Sequence, residues 1–267
     1  MKTFHICTIA NNLKQYSEMK ASFLKAGFTE DKCRYTLFDN SEENIFEPYS
    51  TFNDIKDKTA EPFIILCHQD ILLDQGDGFN KMMEVINELN ELDPEWAVAG
   101  NAGFNDAHEQ IVRIKDPNDL KHLKQWNGKF PQKVHDLDEN FLVINSKIPL
   151  KASQDLSGFH FYGSDLCLNA ILKGYNCYVI NFYLRHLSPG NFNQAFWDAS
   201  KIFNEIWNKK FNIYFIKPTG VEMLLSRHSI IHRLFSHRKS RKGLLLIAQL
   251  HNIILTSLKL KAGRKWF

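Results

Sequence analysis

No Asp or Glu follows Arg227, although ten Lys and Arg lie between there and Phe267. The remaining 23 basic residues face 30 acidic ones over positions 1–226, so the last forty residues form a separate electrostatic object. Disulfide chemistry is also missing. The five cysteines (Cys7, Cys33, Cys67, Cys167, Cys177) are odd in number, show no C-x-x-C spacing and mostly lie inside apolar runs. That pattern excludes a disulfide framework or a zinc site and reads as small core residues in a reducing compartment. No apolar run is long enough to span a bilayer. Lys2 is followed by a short mixed segment, not by the apolar core of a signal peptide, so the expected location is cytoplasmic. What remains is a 267-residue chain, 44% hydrophobic and 24% charged, with ample length for a large core.

The most informative stretch is Phe63-Ile-Ile-Leu-Cys-His-Gln-Asp70, an apolar run without alternation that ends abruptly in polar residues. It reads as a strand covered on both faces, delivering a carboxylate to its open end. In open α/β sheets ligands bind beyond the carboxyl ends of strands, which is where Asp70 would stand; capping of the following segment is the competing role. Upstream, Thr3 to Ile9 reads as a strand ending at Ala10-Asn11-Asn12. Tyr16, Met19, Phe23 and Leu24 keep helical spacing up to Gly27, and Cys33 to Phe38 is a second strand stopping at Asp39-Asn40-Ser41. Strand, helix, strand opens a βαβ layout and places Asn11 and Asp39 at neighbouring strand ends.

A helical stretch around Asn44 to Lys56 precedes the central strand, and Phe79 to Leu92 keep the spacing of a helix laid on the sheet. Trp96 to Gly103 is a short strand running into Gly100, Asn101 and Gly103, where backbone can approach a ligand closely. Residues 104–135 are polar and aperiodic, so a loop is expected there, with His108, His122 and His135 at the surface for want of a ligand spacing. Asp136, Asp138 and Glu139 precede the apolar run Phe141 to Ile144. From Ser164 to Gly174 a helix is expected, with Asp165 in its first turn beside Phe159, His160, Phe161 and Tyr162. A further strand over Tyr175 to Tyr183 leads to His186 at its end.

Taken together, Cys67-His-Gln-Asp70, Trp96 to Gly103, Leu137-Asp-Glu139, Gly158 to Leu166, and His186 with Ser188-Pro-Gly190 resemble bacterial family-2-like glycosyltransferases of the GT-A fold, in a variant with HQD in place of D-x-D. The resemblance covers roughly residues 3–205. It implies an α/β fold, a Rossmann-like, mostly parallel sheet flanked by helices, over a domain of residues 1–226. It further implies an inverting transferase that moves a sugar from a nucleotide-diphosphate sugar, a UDP-sugar first among donors, to a hydroxyl of a growing cell-surface glycan or lipid-linked glycan. Asp70 and His186 would hold Mn²⁺ or Mg²⁺, and Asp165 would be the general base. Ala10, Asn11, Asp39, Asn40, His68, Gln69, Gly100 and Asn101 would line the donor, and Phe159, His160 and Tyr162 would meet the acceptor. A non-catalytic sugar-binding scaffold and a metal-dependent hydrolase are the other readings of the same pattern.

Residues 227–267 interleave the basic clusters with apolar positions from Ile230 to Leu260, the pattern of amphipathic helices lying on a membrane. Anionic lipid adds on the order of 1 kcal/mol per basic residue near the surface. Nucleic acid would explain the charge but not the sustained apolar face, so no nucleic-acid partner is expected and peripheral attachment to the inner membrane is. Packing on the domain is the competing arrangement. Deleting 227–267 is expected to release the protein from anionic vesicles in co-sedimentation while nucleotide binding persists; an unfolded truncation product would instead assign the segment to the core.

Overall fold

The computed structural model describes residues 1–115, 126–188, 190, 192–218 and 221–236. The chain opens as expected with β1 (Phe4–Ala10), α1 (Leu13–Lys25), β2 (Cys33–Asp39), α2 (Pro48–Lys58) and β3 (Phe63–Cys67). Asn12 caps α1 by accepting from the Gln15 N–H, and Glu47 does the same for α2 from Tyr49 and Ser50. Gly27 follows α1 at φ +90°, a conformation that a side chain would strain. The short β4 (Ile71–Leu72) and α3 (Phe79–Leu92) come next.

Strands were expected over Trp96 to Gly103 and Phe141 to Ile144, but among the described residues of 104–135, where a loop was expected, the structure also departs from that expectation. It forms β5 (Val98–Gly100), β6 (Ala102–Phe104), β7 (Gln110–Val112), β8 (Ile114–Lys115), β9 (Gln132–Val134), β10 (Asp136–Leu137) and β11 (Phe141–Asn145). Strands of two or three residues leave no periodicity to read, which is why the polar composition suggested a loop. His135, expected at the surface, is 1% exposed; its Nε2 accepts from the Lys217 N–H at 3.4 Å, and the His108 ring sits 4.4 Å from Phe215. His122 lies outside the described residues. The chain continues through α4 (Tyr162–Leu172), β12 (Cys177–Val179), β13 (Leu184–His186), α5 (Gln194–Asn208), β14 (Tyr214–Ile216), β15 (Met223–Leu225) and α6 (Ser229–Ser236).

Seven strands form the main sheet in the order β2-β1-β3-β11-β5-β12-β9. β1, β2, β3, β5 and β12 run one way, while β11 and β9 oppose them. One face buries Met19 and Phe23 of α1 with Met82, Ile86 and Leu89 of α3. The other buries Tyr49 and Phe52 of α2, Leu166 and Leu168 of α4, and Phe203 and Trp207 of α5. Both faces covered by helices explains why β3 and β11 carry near-continuous apolar runs. The five cysteines are free and buried. Among the described residues no helix is long and apolar enough to cross a membrane. The start of the basic segment is docked: Ile231 of α6 packs on Phe215 and Leu224 of the β14–β15 hairpin, and His232 bonds the Ser226 carbonyl at 2.6 Å. The amphipathic helices expected from 237 onward lie outside the described residues.

The antiparallel course of β11 brings the residues just before it to the same edge as the ends of β1, β2, β3 and β5. The segment leading into β11 is held there by close backbone approach. A Cβ on Gly103 would stand 2.2 Å from the Asp136 carbonyl oxygen, and one on Gly163 would stand 2.4 Å from that of Leu137. Ala in a helix ordinarily gains up to about 1 kcal/mol over Gly, whereas forcing a methyl into packed backbone costs about 1–3 kcal/mol. Gly163→Ala is therefore expected to lower the urea midpoint; a raised midpoint would show that the Leu137 backbone yields freely.

Candidate active site

The run of β3 ends where His68 N–H donates to the Asn140 carbonyl at 2.9 Å, and the chain then turns through Gln69 and Asp70 into β4. β4 pairs antiparallel with β13 so that Ile71 stands opposite His186, and the Leu187 N–H donates to the Asp70 carbonyl at 3.0 Å. This register brings His68, Asp70 and His186 together, with one ligand-type atom from each lying within 4.8 Å of the others. Asp70 Oδ1 is 3.4 Å from His186 Nε2, and the Ser188 hydroxyl donates to Oδ2. Burial pushes the Asp70 carboxyl up, but the bonds from His186 and Ser188 and the nearness of His68 outweigh it and hold it well below the usual carboxylate range. Burial, then the charge of His186, lowers the His68 ring, which favours neutral imidazole.

Tyr162 connects this cluster to the segment before β11. Its hydroxyl donates to the Glu139 carbonyl at 3.0 Å, so its oxygen accepts from His68 Nε2 at 3.0 Å. That fixes the His68 tautomer with the lone pair on Nδ1, the state a metal ligand needs. Tyr162 itself is only 7% exposed. It therefore orients His68, and its small exposed part lines a cavity beside α2 together with Phe159.

The other expected residues divide sharply. Phe159 is 46% exposed, and His160 is half-buried with its ring against Phe196. Around them the sequence reading overlooked Phe192 and Trp197, which are 50% and 43% exposed and pack edge-on against Phe196. Asp39 is exposed at the end of β2 and is held ionised by the Ser41 backbone and hydroxyl. Gln69 Nε2 donates to Asn11 Oδ1 at 2.7 Å and its Oε1 accepts from the Asn12 N–H at 2.8 Å, tying two strand ends together. Asn101 is fully buried, and neither atom of its amide has a hydrogen-bond partner among the described residues. A cavity of about 190 Å³ opens between α2 and the sheet, lined by Ile9, Phe38, Phe52, Leu66, His68 and Phe159 among others. That is smaller than a typical small-molecule pocket, enough for one ring of a larger ligand.

Three expected donor contacts are occupied by the fold. Asn40 uses its amide on the Phe46 carbonyl and on the Ile45 and Phe46 N–H groups, pinning the loop after β2. The Ala10 carbonyl accepts from Asn40 N–H, and the Ala10 side chain is buried. Gly100 packs where a Cβ would stand 3.1 Å from Leu137 and from the Phe141 carbonyl, so its lack of a side chain serves packing.

Asp165 requires the largest correction. It is fully buried and accepts from the Ser153 N–H (2.8 Å), the Ser153 hydroxyl (2.6 Å), Asn169 Nδ2 (3.0 Å) and Trp207 Nε1 (3.1 Å). Burial raises its pKa to about 6 against these bonds and the nearby Lys210. A carboxylate so enclosed cannot reach an acceptor hydroxyl as general base; it fastens α5 and the 153 loop to α4. Glu139 was passed over. Its side chain is half-buried and lies against the first turn of α4, where a Cβ on Gly163 would stand 3.3 Å from its Cγ. The Leu137-Asp-Glu139 run was the available signal, but its place at the carboxyl edge depends on the reversed direction of β11.

No family model matches the chain. It is 34% identical over 189 residues, 68% of its own length and 74% of the other's, to a Fuscovulum blasticum protein called ATP synthase subunits region ORF 6, a name that states a gene region and no activity. Among solved structures it is similar to GalNAc-T7 crystallised with UDP, GalNAc and Mn²⁺, at TM-score 0.51 and 7% identity over 78% of this chain; it spans about half of that one, 48%. It is also similar to residues 1–349 of S. aureus TarS in complex with UDP-GlcNAc, at TM-score 0.46 and 11% identity, covering 77% of this chain and 65% of that one. The fold is thus the expected α/β arrangement of the GT-A type.

Asp165→Asn separates the anchoring role from the catalytic one. An amide nitrogen set against existing donors is expected to cost roughly 1–3 kcal/mol at neutral pH and leave nucleotide binding intact. Because the folded carboxyl titrates near 6 and the ordinary one at 3.8, its contribution to stability is full below pH 3.8 and is lost as pH rises through 6. The variant should lose that part of the pH slope in denaturant titrations, keeping the part due to Asp136, which burial also raises to about 6. Unchanged stability with abolished turnover would restore Asp165 as the base.

Proposed function

This chain belongs to the same family as the Fuscovulum blasticum ORF 6 protein and carries the GT-A fold, and from that premise we propose that it is a metal-dependent glycosyltransferase. The observation that carries the reading is the His68–Asp70–His186 cluster at the carboxyl edge of the sheet. Two imidazoles and one carboxylate suit Mn²⁺ better than Mg²⁺, which prefers oxygen ligands. GalNAc-T7 was crystallised with Mn²⁺ and UDP, which supports the same choice of ion and nucleotide. A divalent cation held there supplies Lewis-acid stabilisation to the departing diphosphate.

The donor in this reading is a UDP-sugar lying along the strand ends. Asp39 and Asn11 offer acceptors there, and the cavity under α2 receives a ring. The unpartnered amide of Asn101 gains from a bound hydroxyl the hydrogen bonds it otherwise lacks, since a buried unsatisfied amide costs about 1–3 kcal/mol. Phe159, Phe192 and Trp197 form an aromatic rim on which an acceptor sugar stacks. The transfer is a single displacement with inversion, and the acceptor is a hydroxyl of a cell-surface or lipid-linked glycan. Binding of residues 227–267 to anionic lipid would hold the enzyme at the cytoplasmic face of the inner membrane, where such acceptors are assembled.

Asp70→Asn tests the reading directly. Thermal stabilisation by UDP plus Mn²⁺ should disappear in the variant while its melting temperature without ligand stays close to wild type. His186→Ala should lose less, since water can replace one ligand. Equal stabilisation of Asp70→Asn and wild type would remove the metal role, and absence of stabilisation of the wild type by any UDP-sugar would remove the transferase reading.

A further inference from the structure

We propose that Glu139 is the carboxylate that takes the acceptor's proton, an assignment that rests on the transferase reading above. Elimination begins the argument. Of the carboxylates at this edge, Asp70 belongs to the metal cluster, and Asp39 is held ionised in solvent beyond β2. Asp138 accepts from the N–H and Nδ2 of Asn140, Asp136 is buried against Ser164, and Asp165 is enclosed by four donors. Among the described residues, Glu139 is a half-buried carboxylate whose backbone is joined to the cluster through a single side chain. Two hydrogen bonds of 3.0 Å, from His68 to Tyr162 and from Tyr162 to the Glu139 carbonyl, separate its backbone from a metal ligand.

Its side chain is fixed from the opposite side. A Cβ at Gly163 would stand 3.3 Å from Glu139 Cγ. The start of α4 thus has no room for an acid of its own at that position, and Glu139 reaches over it from the strand side. The N-terminal end of a helix steadies a nearby anion without neutralising it.

The chemical environment suits a base. Burial, then the charges of Asp138 and Asp136, push the Glu139 carboxyl well above the ordinary range. Among the described residues its other titratable neighbours include Tyr162 and Cys167 of α4 and Tyr49 of α2, each raised chiefly by its own burial. A base with raised proton affinity transfers the proton with more driving force. In the step, Glu139 accepts the hydroxyl proton as the acceptor oxygen bonds to the anomeric carbon. The bond from that carbon to the diphosphate oxygen breaks, and its electron pair leaves with UDP.

Water can stand in for the acceptor, so the full-length chain with Mn²⁺ and UDP-GlcNAc, UDP-GalNAc, UDP-glucose or UDP-galactose is assayed for UDP release. Glu139→Gln keeps the size and shape of the side chain but cannot take a proton. Its release rate should fall roughly 10²- to 10⁴-fold with UDP affinity unchanged. The wild-type rate should rise with pH through one ionisation above the usual carboxylate range, a limb the variant lacks. Undiminished release by Glu139→Gln alongside an active wild type overturns this assignment and leaves the transferase reading standing. Failure of the wild type to bind or turn over any of the four donors overturns the transferase reading and this assignment with it. If the Gln variant does not fold, the wild-type profile decides, and a rate flat across that range removes Glu139.

Discussion

The stretch Asp136–Asn140 is the constraint on which the site depends. It lies in backbone contact with β6 on one side and α4 on the other, contacts that Gly103 and Gly163 make possible by having no side chain. From that clamped position the Asn140 carbonyl receives the N–H of His68, and the Glu139 carbonyl receives the hydroxyl of Tyr162, which in turn holds the His68 ring. A metal-type cluster on a turn between strands would otherwise depend on loop backbone alone. Here the His68 ring is fixed by two elements that the rigid sheet and helix already position.

A second constraint acts at a distance. Asp165 of α4 accepts from Trp207 of α5, forty-two residues along the chain, and from Ser153 in the loop before α4. Burying a carboxylate costs free energy that neutral donors recover only partly, which is why its pKa stays raised. The return is specificity of docking: α5 carries Phe196 and Trp197 to the rim beside Phe159 and His160. A buried polar staple thus determines where an aromatic surface stands.

Much of the fold was legible because its elements obey short-range rules. β1, α1, β2 and α3 were visible from apolar spacing, and Gly27 and Gly174, at φ +90° and +84°, mark two helix ends. The joining of Asp70 with His186 was expected only through the resemblance, since it depends on the β4–β13 register, a pairing between residues over a hundred positions apart. The placement of Asp165 was illegible for a different reason. Residues 162–168 of α4 are all buried, so the helix has no solvent face in that turn from which a direction could be read. Glu139 was hidden by strand direction. A residue before a parallel strand lies at the far edge, and only the reversal of β11 brings it to the ligand edge.

In the proposed reading, His68 in place of a second carboxylate would alter the electrostatics of the reaction in a definite direction. Two neutral imidazoles and one carboxylate would place a single negative charge beside a bound cation, where a pair of carboxylates would place two. Coulombic repulsion between a unit charge and a phosphate oxygen at 4 Å is about 4 kcal/mol at an effective dielectric of 20, so removing one charge eases the approach of the diphosphate appreciably. The loss would fall on a bound metal, whose attraction to the site would weaken. The cluster compensates by fixing its ligands in advance: His68 through Tyr162, Asp70 through Ser188, and His186 through its pairing with β4. Ordering ligands before an ion arrives lowers the entropy lost on binding, so such a site would exchange charge for rigidity, and the part of that rigidity held by His68 is drawn from the same clamped segment that positions Glu139.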